Sequence, residues 1–194
     1  METPRVTAVM RAAGVGADFT GVDPAVLEAA AKRGTVVHKR IANEHLHPRR
    51  IATAISPAWA GYWKAYHRFR DDVRHVAQYS EVLVQHPAWH YIGHVDRIGF
   101  LQKHRALIDW KCVASLDVDA VAIQLAAYRL AWNVMHPEEP IRYCAAVQLY
   151  PNGRYKLYDE ASGLDIDAAE PVWLAALTLY HARVRMGRVG AWLA

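Results

Sequence analysis

The spacing of apolar positions changes period several times along the chain, and each change predicts an element. Residues 5–13 carry helical spacing, and the glycine-punctuated "GVGADFTG" that follows reads as a turn. Asp23 and Pro24 supply a cap and a first helical position. The following "AVLEAAAKRGTVVHKRIANEHL" is rich in alanine and long side chains, and it predicts helix with Gly34 as an interruption near which a second helix begins. Ser56 and Pro57 repeat the start signal. Trp59, Tyr62, Trp63, Tyr66 and Phe69 then recur at three- and four-residue steps, an aromatic stripe that reads most simply as core. The period next falls to two. Residues 80–86 alternate, "HYIGHVDRIGF" and "HRALIDWKCV" form the arms of a hairpin, and "VDAVAIQLAAYRLAWNVM" returns to helix. Strands follow at 141–150 and 153–159, joined around Asn152 and Gly153, before an amphipathic helix over 167–187. Helices, a block of strands, one helix, two strands and a last helix predict an α/β (α+β) sheet domain.

A chain of 194 residues with 53% hydrophobic content can bury one sizeable core, so a single domain over 1–194 is expected. Residues 1–79 form its mainly helical part, 80–160 the sheet core with one crossover helix, and 161–194 the C-terminal helix. No apolar run approaches the roughly 20 residues of a membrane span, and "METPRVTAVMR" lacks the order of a signal peptide, which predicts a cytoplasmic protein. Cys112 and Cys144 lie far apart in apolar runs and read as reduced core thiols. His86, His90 and His94 are close in sequence, but Pro87 and the strand after it spoil a helical ligand ladder for zinc. The net charge of +4 is compatible with a polyanionic partner without requiring one. "RFRDDVRH" and "HARVRMGR" concentrate basic residues on expected helices. Asp117, Asp119, Asp165 and Asp167 sit near expected helix starts, where the dipole favours acids.

The hairpin carries the candidate chemistry. Asp96 and Asp109 each interrupt an apolar run, and Lys111 follows the second acid by two. A turn at Gln102 and Lys103 sets Asp96 opposite Asp109, with Lys111 on the same face and Ile108 and Trp110 on the other. Two carboxylates about 4 Å apart repel by about 4 kcal/mol at an effective dielectric of 20, so a compensating cation is needed. Lys111 offsets part of the repulsion. Two hard oxygen donors on adjacent strands also suit Mg²⁺ or Mn²⁺, with water in the remaining positions and Lys111 beside the water or the phosphate it attacks.

These residues resemble the core of the PD-(D/E)xK nuclease superfamily, in its RecB-like and phage exonuclease branch. "GHVDRI" is similar to the glycine-plus-aspartate strand, "IDWK" to the acid-x-lysine strand, "QLAAYRLAW" to the glutamine-tyrosine helix, and "RGTVVH" to the upstream helix whose histidine approaches the metal. The resemblance spans about residues 33–132. It departs at Val95, where the signature has proline though this branch allows other residues, at Asp109, where glutamate is more usual, and at Cys112 and Val113, where threonine and glycine are frequent.

The resemblance implies a restriction-endonuclease-like core, with a central mixed β-sheet flanked by helices, and a metal-dependent DNA exonuclease of phage or prophage recombination or repair. It implies catalytic roles for Asp96, Asp109 and Lys111, metal ligation by Asp96, Asp109, the Trp110 carbonyl and His38, and Glu81 at the edge of the metal site. Gln124 and Tyr128 would lie near the DNA strand or brace the active site. The expected cofactor is Mg²⁺ or Mn²⁺. The expected partner is DNA, with ends as substrate and with room for a single-strand annealing protein and an oligomeric assembly; a phage-encoded chain would work in the host cytoplasm. The alternatives are a nucleic-acid-binding module without catalysis on the same fold, and an assembly protein that uses the aromatic helix as an interface.

Overall fold

The computed structural model describes residues 3–16, 20–48 and 56–187, so part of the expected turn after residue 13 and the end of the expected C-terminal segment lie outside it. The chain runs α1 (Val6–Ala12), α2 (Pro24–Leu46), α3 (Pro57–Asp72), β1 (Val76–His86), β2 (Tyr91–Leu101), β3 (His104–Lys111), α4 (Val118–Met135), β4 (Tyr143–Leu149), β5 (Tyr155–Tyr158) and α5 (Ile166–Arg185). Asp117 and Asp165 cap α4 and α5 by accepting from Ala120 and Ala168, and Asp119 and Asp167 lie in the first turns.

One expectation is corrected. α2 runs unbroken through Gly34, and no second helix starts there. A glycine inside a helix costs about 1 kcal/mol relative to alanine. Here Asp23, which accepts from Ala25 at 2.8 Å, and Pro24 fix the helix start. A series of polar contacts to the sheet, described below, holds the rest.

The five strands form one mixed sheet in the order β1-β2-β3-β4-β5. β3 and β4 are parallel, joined by α4 as the crossover, and the remaining pairs are antiparallel. Arg97 lies opposite Ile108 and Leu101 opposite His104, the register expected from a turn at Gln102 and Lys103; Gln102 takes the left-handed φ of 53° that the tight turn requires. One face is covered by α1, α4 and α5 through residues such as Val9, Leu125, Tyr128 and Trp173, packed on Val95, Ile98 and Leu107. The other is covered by α2 and α3 through Val37, Ile41, Tyr66 and Phe69, packed on Ile108, Trp110 and Val147. The aromatic stripe of α3 is therefore core along Tyr62, Tyr66 and Phe69. The last two meet the Trp110 ring edge-on, each with centroids 5.5 Å away. Among the described residues no helix is long and apolar enough to cross a membrane.

His75, just before β1, is buried, and its Nδ1 donates to the Phe100 carbonyl at 3.0 Å. Burial, partly opposed by that hydrogen bond, brings its pKa from 6.5 down to about 4. The folded state thus resists a proton that the unfolded chain accepts. The resulting stability is complete above pH 6.5 and lost as the pH falls toward 4, with a full value of about 3 kcal/mol. Denaturant titrations across this interval should show wild type losing stability relative to His75→Leu, with the gap closing from the neutral side.

Candidate active site

β1 carries a bulge between Ala77 and Tyr79, and strand alternation breaks again where the candidate acids stand. On β2, Val95 and Ile98 both enter the core under α4, although they are three residues apart, while Arg97 between them donates to the Ile41 carbonyl on α2. On β1, Val82 packs under α4 and Tyr79 meets Trp132 of the same helix, again three apart, while Ser80 pairs with His45 on α2. The period of two is reset at Asp96 and at Glu81. These face each other, because Ser80 is opposite Arg97 and Val82 opposite Val95. Glu81 holds the reset with a left-handed φ of 54°, a conformation that costs a non-glycine residue about 1–3 kcal/mol and clusters at functional sites.

The β2–β3 ladder stops at Arg97 and Ile108, one position short of Asp96 and Asp109. In place of the next rung, the Trp110 N–H donates to Asp96 Oδ2 at 2.9 Å. The other oxygen of Asp96 lies 3.3 Å from Nδ1 of His38, on α2. On β3, Asp109 Oδ2 lies 2.8 Å from Lys111 Nζ, which also donates to Gln124 Oε1 at 2.9 Å, and Gln124 Nε2 donates to the Tyr128 hydroxyl at 2.8 Å. Gln124 and Tyr128, four apart on α4, thus form a rail beneath the lysine. The Tyr128 ring is 4% exposed, and a Cβ on Gly93 would fall 2.4 Å from its Cε1, so only a glycine there lets the ring seat against β2. Tyr128 is thus packed between α4 and β2 with its hydroxyl turned to Gln124.

Burial pushes the Asp109 carboxyl up, and the Asp96 charge adds to this against the pull of Lys111. Asp96 shows the opposite net result. Its burial is outweighed by His38, the Trp110 amide and Lys111, and its pKa lies below the ordinary carboxylate value. His38 is likewise desolvated, but Asp96, Cys112 and Asp109 hold its pKa well above the ordinary value. Lys111 loses solvation too, yet Asp109 and Asp96 raise its pKa, so it is an ammonium at neutral pH. Glu81 is raised by burial and by Asp96. The environment thus moves the two central acids in opposite directions within one acidic cluster, Asp96 down and Asp109 up.

Asp96, Asp109, Lys111, His38, Glu81, Gln124 and Trp110 are therefore brought to one end of the β2–β3 pair. Among the described residues, no three His, Cys, Asp or Glu side chains already surround a single point as a metal cage. His38 and Lys111 instead hold the acids. The donor set still suits a hard divalent ion: two carboxylates that repel each other, one of them buried with a raised pKa, would both be relieved by a cation between them. Two residues that the motif reading did not single out also belong here. Arg33 of α2 donates to the Cys112 carbonyl at 3.0 Å, and Arg97 lies fully buried behind Asp96. A charged residue inside the apolar run of β2 was the available signal for Arg97.

No family model and no curated protein matches the chain. Among solved structures, a candidate exonuclease from Eubacterium rectale overlays with a TM-score of 0.58 at 12% identity, over 96% of this chain and 82% of that one. An alkaline exonuclease from Laribacter hongkongensis overlays with a TM-score of 0.34 at 15% identity, over 96% of this chain and 93% of that one. The first likeness is one of fold: this chain, a mixed five-stranded sheet flanked by helices, overlays that candidate exonuclease along most of its length.

Proposed function

We propose that the protein is a metal-dependent deoxyribonuclease of the PD-(D/E)xK type, an exonuclease that hydrolyses phosphodiester bonds at DNA ends. The observation that carries the reading is the convergence of Asp96, Asp109 and Lys111 where the β2–β3 ladder stops, with Lys111 held between Asp109 and Gln124. Asp96, Asp109, His38 and the Trp110 carbonyl would hold Mg²⁺ or Mn²⁺, with Glu81 at the edge. When bound, the ion supplies a Lewis acid for phosphate and water. Lys111, charged at neutral pH, is a hydrogen-bond donor rather than a base; it orients the attacking water and neutralises the phosphate oxygen that gains charge. Gln124 and Tyr128 keep its ammonium from swinging away. The phage recombination or repair setting, and a single-strand annealing protein as partner, rest on the resemblance of the motifs.

Digestion of end-labelled linear and closed circular DNA with Mg²⁺, Mn²⁺ or EDTA tests the reading. Mononucleotide release from linear DNA with either metal, none with EDTA, and an intact circle are expected; cutting of the circle would replace the exonuclease assignment with an endonuclease one. Metal should also raise thermal stability, by about 2.7 kcal/mol at a hundredfold excess over its dissociation constant. Asp96→Asn should erase most of that increment in melts with and without Mn²⁺. An unchanged increment would remove Asp96 from the ligand set.

A further inference from the structure

We propose that Arg97 is a positioning residue: its buried guanidinium pins α2 at the Ile41 carbonyl and thereby sets His38 against Asp96. The inference deepens the metal-site reading, since it concerns the placement of one expected ligand.

α2 is docked by polar contacts more than by apolar burial. Only Val37, Ile41 and Ala42 of its 23 residues are buried. Arg33 reaches the Cys112 carbonyl, His38 meets Asp96, Arg97 Nη2 reaches the Ile41 carbonyl at 3.1 Å, and His45 Nδ1 meets Ser80 Oγ at 2.9 Å. Apolar burial is non-directional and lets a helix slide, whereas a hydrogen bond to one carbonyl does not. Ile41 is three residues beyond His38, a rise of about 4.5 Å and close to one turn. Asp96 and Arg97 are consecutive on β2. In a regular strand, consecutive side chains face opposite sides of the sheet. Here the reset at Asp96 lets both address the same helix, one turn apart. Two neighbouring residues of β2 thus clamp two neighbouring turns of α2, and the His38–Asp96 contact lies inside the clamp.

The guanidinium is fully buried, and among the described residues its Nε and Nη1 have no hydrogen-bond partner. Its surroundings compensate through charge: Glu44, Asp96 and Glu81 all attract it. Glu44 does not depend on Arg97, because Arg70 Nη1 at 2.6 Å and His67 Nε2 at 3.2 Å already hold it. A methionine at this position fits the apolar surroundings of Ile41 and Tyr66 and strands no buried carboxylate. Replacement of a buried ion by an apolar side chain of similar volume is often tolerated.

The experiment is a double-mutant cycle on the full chain, with Arg97→Met, His38→Ala and the pair, read by calorimetry with Mn²⁺. Arg97→Met should weaken Mn²⁺ binding about tenfold, the low end of what losing a ligand's supporting partner costs. In the His38→Ala background it should add nearly nothing, because the effect passes through His38. A direct field effect on Asp96 and Asp109 would persist without His38 and would overturn the proposal. Arg97→Lys, which keeps a donor with shorter reach, should fall between wild type and Arg97→Met and carries the same cycle should the methionine variant not fold. A second readout needs no metal. The Nδ1–H NMR signal of His38 in the metal-free protein should be lost in Asp96→Asn and in Arg97→Met and kept in Arg97→Lys. If wild type binds no Mn²⁺, the metal reading fails and the NMR arm still decides the role of Arg97. If the signal survives in Arg97→Met, the pin is not what holds His38.

Discussion

Lys111→Met is expected to slow DNA cleavage by about two to four orders of magnitude while leaving Mn²⁺ affinity equal to or higher than wild type. The ammonium lies 2.8 Å from Asp109 Oδ2, so it competes with any cation for that oxygen. Removing it frees the carboxylate and also removes the donor that steadies the attacking water. Asp109→Asn should behave differently, losing both cleavage and Mn²⁺ affinity, because the amide keeps the shape without the charge. It also leaves a half-buried ammonium whose remaining partners are Gln124 and the more distant Asp96, so circular dichroism must accompany the kinetics. Single-turnover digestion at saturating Mn²⁺ separates the two variants. If added metal restores Lys111→Met to the wild-type rate, the lysine only tunes affinity and its assigned role is wrong.

Gly61→Ala should unfold the protein at a temperature lower by about 6–12 °C, given about 3 kcal/mol of overpacking and about 2–4 °C per kcal/mol for a chain of this size. A Cβ there would fall 1.7 Å from the Pro151 carbonyl oxygen and 2.4 Å from its carbon. Both are backbone atoms of the β4–β5 turn and cannot rotate away, so α3 itself must lift from the sheet. The contrast is Gly34→Ala in α2, where nothing lies within 4 Å and helix propensity favours alanine by about 1 kcal/mol. Thermal melts of the two variants should move in opposite directions. Matching shifts would mean that the close approach of α3 to Pro151 carries no strain. The loss in Gly61→Ala should also reach the site, since Tyr66 and Phe69 of α3 seat the Trp110 ring and the Trp110 amide holds Asp96.

Period and turn chemistry made much of this legible in the chain. The hairpin register follows from two turn residues, the face of Lys111 from alternation along β3, and the helix starts from Asp117 and Asp165. Gly34 misled because propensity is local, whereas α2 is held by distant partners: Cys112, Asp96, Arg97 and Ser80. The reset at Glu81 and Asp96 left no mark in the pattern, because a left-handed φ at a glutamate has no compositional signature. Arg97 was visible as a charge in an apolar run, but its acceptor is a main-chain carbonyl 56 positions away, and side-chain chemistry cannot announce such a partner. The motif residues, by contrast, come from elements far apart in the chain: His38 on α2, Asp96 on β2, Asp109 and Lys111 on β3, and Gln124 on α4.

Asp96 occupies the rung at which β2 lets go of β3. A sheet usually ends where solvent takes over the last amide; here a carboxylate takes it, so the boundary of the hydrogen-bonded lattice is itself an acidic side chain. One of its oxygens belongs to the architecture and the other faces His38. The acid is thereby tethered at one lone pair and keeps a single direction in which to act. Extending the ladder by one more backbone rung would release the Trp110 amide from Asp96 and leave the carboxylate to rotate without a fixed heading.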